Sequence, residues 1–107
     1  MQEISVEALH QWLEDPARRK PFLLDVREPW EFERCHIEGS ELIPMREIPN
    51  RIALLDSSRE IVVICHHGVR SAQVSMFLAH HGFENVINMR GGVAAWADRV
   101  DPHMARY

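Results

Sequence analysis

The apolar positions of this chain fall into short blocks whose period changes along the sequence. Behind Ser5, a residue suited to cap a helix, Val6, Leu9 and Leu13 recur at helical spacing until Asp15-Pro16 ends the stretch. Phe22-Leu23-Leu24-Asp25-Val26 then reads as a buried strand. Pro29 suits the first turn of a short helix running through Phe32 and Arg34. Glu41-Leu42-Ile43 predicts a brief strand closed by Pro44, and Pro49 opens a further helix carrying Ile52, Leu54 and Leu55. The strongest strand signal is Glu60 to Ile64, β-branched from Ile61 onward and ending on Cys65. A helix is predicted from near Ser71, with Val74, Phe77, Leu78 and His81 on one side and Gly82 as its stop. Asn85 to Met89 predicts a last strand, and Gly91-Gly92 turns the chain into a short helix bearing Val93, Ala95 and Trp96.

Continuous apolar strands alternating with helices predict an α/β fold, with a parallel sheet covered on both faces. In such sheets sites form at the carboxyl ends of the strands, where Cys65 stands. The 107 residues suffice for one domain, 1–107, around a single core. A net charge of -4 argues against nucleic acid as the partner. Eleven of the twelve basic residues are arginine, which suits oxyanion recognition, although a GC-rich genome gives the same bias and is the simpler account. The first residues show neither a basic nor an apolar leader region, and no apolar run approaches a membrane span, so a cytoplasmic location is expected. In a reducing compartment Cys35 and Cys65 are expected as free thiols.

The segment Cys65-His66-His67-Gly68-Val69-Arg70-Ser71 carries the chemistry. A strand delivers Cys65, and the chain must reverse into a helix within six residues, a turn for which Gly68 supplies the backbone freedom. Successive N–H groups in such a turn converge into an anion-holding nest, and the helix start adds partial positive charge. Arg70 adds a full one. Surroundings of this kind lower a cysteine pKa from ~8.5 to roughly 3.5–7.5, and they would equally hold a persulfide anion. Against this stands Cys65 as an inert, buried small hydrophobe, a reading that the flanking Gly68, Arg70 and helix start disfavour. His66 and His67 are adjacent, so their side chains are expected to point apart. With no second ligand cluster at zinc-like spacing, neither metal nor cofactor is expected. Either imidazole can serve as an acid or a cation beside the sulfur, or stand as a solvated loop residue.

Cys65-x-x-Gly68-x-Arg70-Ser71 resembles the active loop of the rhodanese family of sulfurtransferases in its single-domain form. Asp25-x-Arg27, His36-Ile37-x-Gly39-Ser40, Ile43-Pro44 and Gly91-Gly92 with Ala95-Trp96 match further landmarks of that family, in order. The resemblance implies a central five-stranded parallel sheet flanked by helices. It also implies a ping-pong reaction in which Cys65 takes sulfane sulfur from a donor such as thiosulfate and passes it to a thiophilic acceptor, cyanide or a thiol. The backbone of His66, His67, Gly68, Val69 and Arg70 would hold the persulfide, and Arg70 would meet the anionic donor. A relay between a protein sulfur donor and a protein acceptor is the alternative, because the Cys65 chemistry is the same.

A phosphatase of the related Cys-x5-Arg kind is the rival enzyme, but only four residues separate Cys65 from Arg70, a cradle sized for one sulfur rather than a phosphoryl group. Arsenate reduction, which goes with the longer loop, is set aside with it. A non-catalytic regulatory module on this fold would tend to lose the cysteine that is present here. Asp25 and Arg27 are read as an architectural pair, His36 as a structural hydrogen-bonder, and Trp96, Phe77 and Leu78 as core. Trp12, Trp30, His80 and His81 are read as surface features, and Cys35 as a bystander to Cys65.

Overall fold

The computed structural model describes residues 1–107. In chain order its elements are β1 (Gln2–Ile4), α1 (Val6–Glu14), β2 (Phe22–Asp25), α2 (Pro29–Arg34), β3 (Glu41–Leu42), α3 (Ile48–Arg51), β4 (Ile61–Ile64), α4 (Val69–His80), β5 (Val86–Met89) and α5 (Gly92–Arg99). Short 3-10 turns, Met45–Glu47 and Ile52–Leu54, flank α3. The five strands form one sheet in the order β1-β5-β4-β2-β3, and every neighbouring pair is parallel. No helix is long and apolar enough to cross a membrane.

The period-2 alternation of β4 divides the core. Val62 and Ile64 face one side, with Val6, Leu9 and Trp12 of α1 and Val93 and Trp96 of α5. Ile61, Val63 and Cys65 face the other, with Ile48 of α3 and Val74 and Leu78 of α4. Both faces are thus covered, which is why all four residues of β4 are buried and read as an unbroken apolar run. Cys35 packs at the edge of the first cluster, so the two cysteines sit on opposite sides of the sheet, both as free thiols.

The structure corrects several sequence expectations. β1 carries no strand signal because two of its three residues, Gln2 and Glu3, are polar and exposed, and it exists through pairing with β5 at the sheet edge. Trp12 is core rather than surface, since its spacing from Val6 and Leu9 places it on the same helical stripe. Its indole N–H donates to the Arg19 carbonyl at 2.9 Å. The helix opened near Pro49 lasts one turn before tightening into the 3-10 segment that carries Ile52 and Leu54, and Leu54 is 76% exposed. Phe77, read as core, is only half-buried, with the exposed ring of His81, a surface residue as read, resting on it. Helix α4 begins at Val69, two residues before the expected start, because Gly68 in the left-handed region (φ 103°) completes the turn.

Candidate active site

Three central strands deliver the site at their carboxyl ends: β2 brings Asp25 and Arg27, β4 brings Cys65, and β5 leads into Gly91-Gly92. Asp25 and Arg27 are fully buried and form the expected architectural pair, with Nη2 to Oδ2 at 2.8 Å and Nε to Oδ1 at 2.9 Å. The rest of the Arg27 fork donates to the Cys35 carbonyl at 2.7 Å and to the Tyr107 hydroxyl at 2.8 Å. A guanidinium out of water needs partners for all its donors, and this one has them.

The Cys65 side chain has no exposed surface. Its Sγ accepts the Gly68 N–H at 3.1 Å, and the Ser71 hydroxyl lies 3.2 Å away, close enough to donate to a thiolate. Ser71 and its neighbour one turn on, Ser75, are buried, and the Ser75 hydroxyl donates to the Ser71 carbonyl at 2.7 Å.

The loop backbone is pinned from behind. Two N–H groups in the first turn of α5, those of Val93 and Ala94, donate to the Cys65 and His66 carbonyls at 2.9 and 3.0 Å. Such an approach requires glycine at position 92, because a Cβ there would lie 2.5 Å from the Cys65 carbonyl oxygen and closer still to His66. Asn88, a buried residue of β5, donates to the Gly68 carbonyl at 3.3 Å. In a trans peptide the N–H points opposite to the carbonyl. Fixing the carbonyls of Cys65, His66 and Gly68 therefore turns the N–H groups of His66, His67 and Val69 away from those anchors, and these three have no partner within the protein.

Arg70 is not the free cation the sequence suggests. Its Nη1 and Nη2 lie 2.7 and 2.9 Å from the two oxygens of Glu31 on α2. Glu31 is 4% exposed and also accepts the Glu28 N–H at 2.9 Å and the Tyr107 hydroxyl at 2.8 Å. Arg70 chiefly, against the opposing effect of burial, holds the Glu31 carboxyl down at about 2. Reciprocally, the Glu31 hydrogen bond raises Arg70.

His66 and His67 do not point apart: their ring centres are 3.9 Å apart. The His66 ring stacks at 3.9 Å on Tyr107, which also meets Trp30 edge-on. Burial, then the neighbouring His67, pushes the His66 pKa down, favouring the neutral ring. Tyr107 is raised to about 12, mainly by burial, so its hydroxyl stays protonated and donates to Glu31. A cavity of about 160 Å³ remains between His66, His67, α5 and Tyr107.

The loop residues named from the sequence thus lie together. Glu31, Ser71, Asn88 and Tyr107 join them, none of which the sequence alone marks as a site residue. Ser71 had a signal in the loop pattern, and Glu31 had one only as the helix-capping partner of Glu28. His36 lies on the surface and hydrogen-bonds the Phe32 carbonyl through Nδ1 at 2.8 Å, a structural contact as read.

Residues 5–99 match the model of the rhodanese-like domain. The "Sulfurtransferase" of Allochromatium vinosum is 36% identical over 96% of this chain and 94% of its own. The "Probable adenylyltransferase/sulfurtransferase MoeZ" of Mycobacterium tuberculosis is 37% identical over 97% of this chain, but the match spans only 26% of that longer protein. The crystal structure of SSP1007 from Staphylococcus saprophyticus superposes with a TM-score of 0.85 at 32% identity, covering 94% of this chain and 97% of its own. With a five-stranded parallel sheet and a strand-borne cysteine loop on the same scaffold, this chain belongs to the rhodanese-like domain family, in which relatives matched along nearly their whole length are named sulfurtransferases.

Proposed function

We propose that this chain is a sulfurtransferase that carries sulfane sulfur as a persulfide on Cys65, taken from a donor such as thiosulfate and given to a thiophilic acceptor, cyanide or a thiol. The Cys65 thiolate attacks the outer sulfur of thiosulfate, the S–S bond breaks, and sulfite leaves with the bonding electrons. Cyanide then attacks the outer sulfur of Cys65–S–S⁻ and departs as thiocyanate, returning the thiolate. The observation that carries this reading is the double contact on Sγ, from the Gly68 N–H at 3.1 Å and the Ser71 hydroxyl at 3.2 Å, inside a loop with unspent N–H groups. Those of His66, His67 and Val69 are available to the outer sulfur, which stands about 2 Å beyond a buried Sγ.

Phosphate chemistry is disfavoured on a second ground besides loop length. A phosphate clamp needs a guanidinium fork free for two oxygens, and Glu31 occupies that of Arg70. A protein donor and acceptor form the second reading, favoured by the mycobacterial relative, where the matching segment is part of a longer chain named for two activities. We place the protein in the cytoplasm, a reducing compartment in which its two thiols would stay free.

The test is intact mass after incubation with thiosulfate. The wild type gains one sulfur and loses it to cyanide, and Cys65→Ser gains none while its circular dichroism is unchanged. Sulfur retained by Cys65→Ser, or none gained by the wild type from any sulfane donor, would overturn the assignment.

A further inference from the structure

The arginines that border the Cys65 loop are matched by carboxylates, Arg106 beside His66 and His67 by Asp98. Arg70 faces Glu31 at 2.7 Å and Arg27 faces Asp25 at 2.8 Å. The pairing of Arg70 is not a loose surface contact. Glu31 is buried and takes four hydrogen bonds, two from Arg70, one from the Glu28 N–H and one from Tyr107. Tyr107 is held in turn by Arg27 and by the His66 ring. A carboxylate fixed from three sides does not swing aside when another anion arrives. What the loop offers a donor is therefore backbone N–H dipoles, without a net positive charge.

That matters because sulfur donors differ in charge. Thiosulfate is a dianion, and its attack by a thiolate gathers three negative charges in the transition state. An organic persulfide brings less: the thiolate attacks the outer sulfur of R–S–SH, the new Sγ–S bond forms, and R–S⁻ leaves with the electron pair. A thiosulfonate, R–SO2–S⁻, brings one charge and releases a sulfinate in the same way. No oxidant or reductant is needed in any of these steps.

We propose that Glu31 is a specificity-determining residue of the sulfur-loading step: by closing an ion pair on Arg70 it withholds positive charge from the loop, so that Cys65 takes sulfur preferentially from persulfide- or thiosulfonate-class donors carrying at most one negative charge, with dianionic thiosulfate the poorer donor. This rests on the Cys65 persulfide reading and acts through Arg70 rather than by contact with the donor.

The test compares kcat/KM for thiosulfate and methanethiosulfonate, with cyanide as acceptor, at pH 8. Glu31→Gln keeps an acceptor for Arg70 and removes one negative charge. It should raise kcat/KM about tenfold for the dianion and about threefold for the monoanion, the order expected of one elementary charge near a protein surface. A fall or rise of equal size for both donors, or no change, overturns the proposal. Should that variant fail to fold, the wild type decides through salt. With the cations paired and a chain of net charge -4, thiosulfate turnover should be flat or rise with ionic strength. A several-fold fall from about 0.02 M to 0.5 M would reveal an unpaired cation and overturn it. A wild type that takes sulfur from neither donor would instead sink the Cys65 reading itself.

Discussion

Replacing Gly92 by alanine tests whether α5 holds the active loop in shape. The glycine has φ 62°, and a Cβ there would lie 2.5 Å from the Cys65 carbonyl oxygen and nearer still to the His66 carbonyl. An L-residue in this backbone region costs roughly 1–2 kcal/mol. The clash must also push the start of α5 off the loop, breaking the bonds from Val93 and Ala94 to those carbonyls. At about 1 kcal/mol each, their loss brings the total to about 3–4 kcal/mol. Gly82→Ala is the control: its φ is 88°, yet a Cβ there meets nothing within 4 Å, so only the backbone term applies. The gain from a stiffer unfolded chain is common to both and cancels. Urea unfolding should show Gly92→Ala about 2 kcal/mol less stable than Gly82→Ala, with similar m-values and slower persulfide loading. Equal losses in the two variants would refute the claim that close approach to the loop is what position 92 provides.

Glu31 ties stability to acid. Its folded pKa, about 2, lies below the ordinary value of 4.5, so its stabilisation is full above 4.5 and is lost as pH falls through about 2. Urea midpoints between pH 6 and pH 2.5 should register a loss on the order of 2 kcal/mol from this group, and the slope should flatten in Glu31→Gln. Arg70→Ala strips a buried carboxylate of its partner and leaves its charge beside the loop. It should lose about 3 kcal/mol at pH 7, the low end for a buried pair because Arg70 is partly exposed, and raise KM for thiosulfate, and unchanged kcat/KM would remove Arg70 from the site. Tyr107→Phe keeps the stack on His66 but leaves Arg27 and Glu31 each one partner short, so thermal unfolding should report a loss of about 1–2 kcal/mol.

The cysteine loop was legible in the sequence because its geometry is local. A β-branched strand, a glycine that must turn, and a helix start lie within about ten consecutive residues, and each constrains its neighbours. The rest of the site is non-local. Glu31 and Arg70 are 39 positions apart, and Tyr107 reaches Glu31 across 76, so nothing in either segment announces the other. β1 is illegible for a related reason, since a polar edge strand is specified by the strand it joins. The burial of Trp12, by contrast, is local: a helical count from Val6 and Leu9 leads directly to it.

The pairing of Arg70 changes how the loop must stabilise an anion. If the guanidinium were free, a full charge would attract thiolate, persulfide, thiosulfate and phosphate alike, and geometry would have little left to decide. With that charge matched by Glu31, the remaining attraction comes from N–H groups and one hydroxyl, whose pull fades within hydrogen-bond distance. Such donors reward an atom that fits the loop and give little to one that does not. A terminal sulfur on a buried Sγ is placed by a covalent bond at a fixed reach, whereas a free oxyanion must find its own position against unneutralised repulsion. On the proposed function, selectivity for bound sulfur over free anions would follow from the same ion pair that removes the long-range attraction.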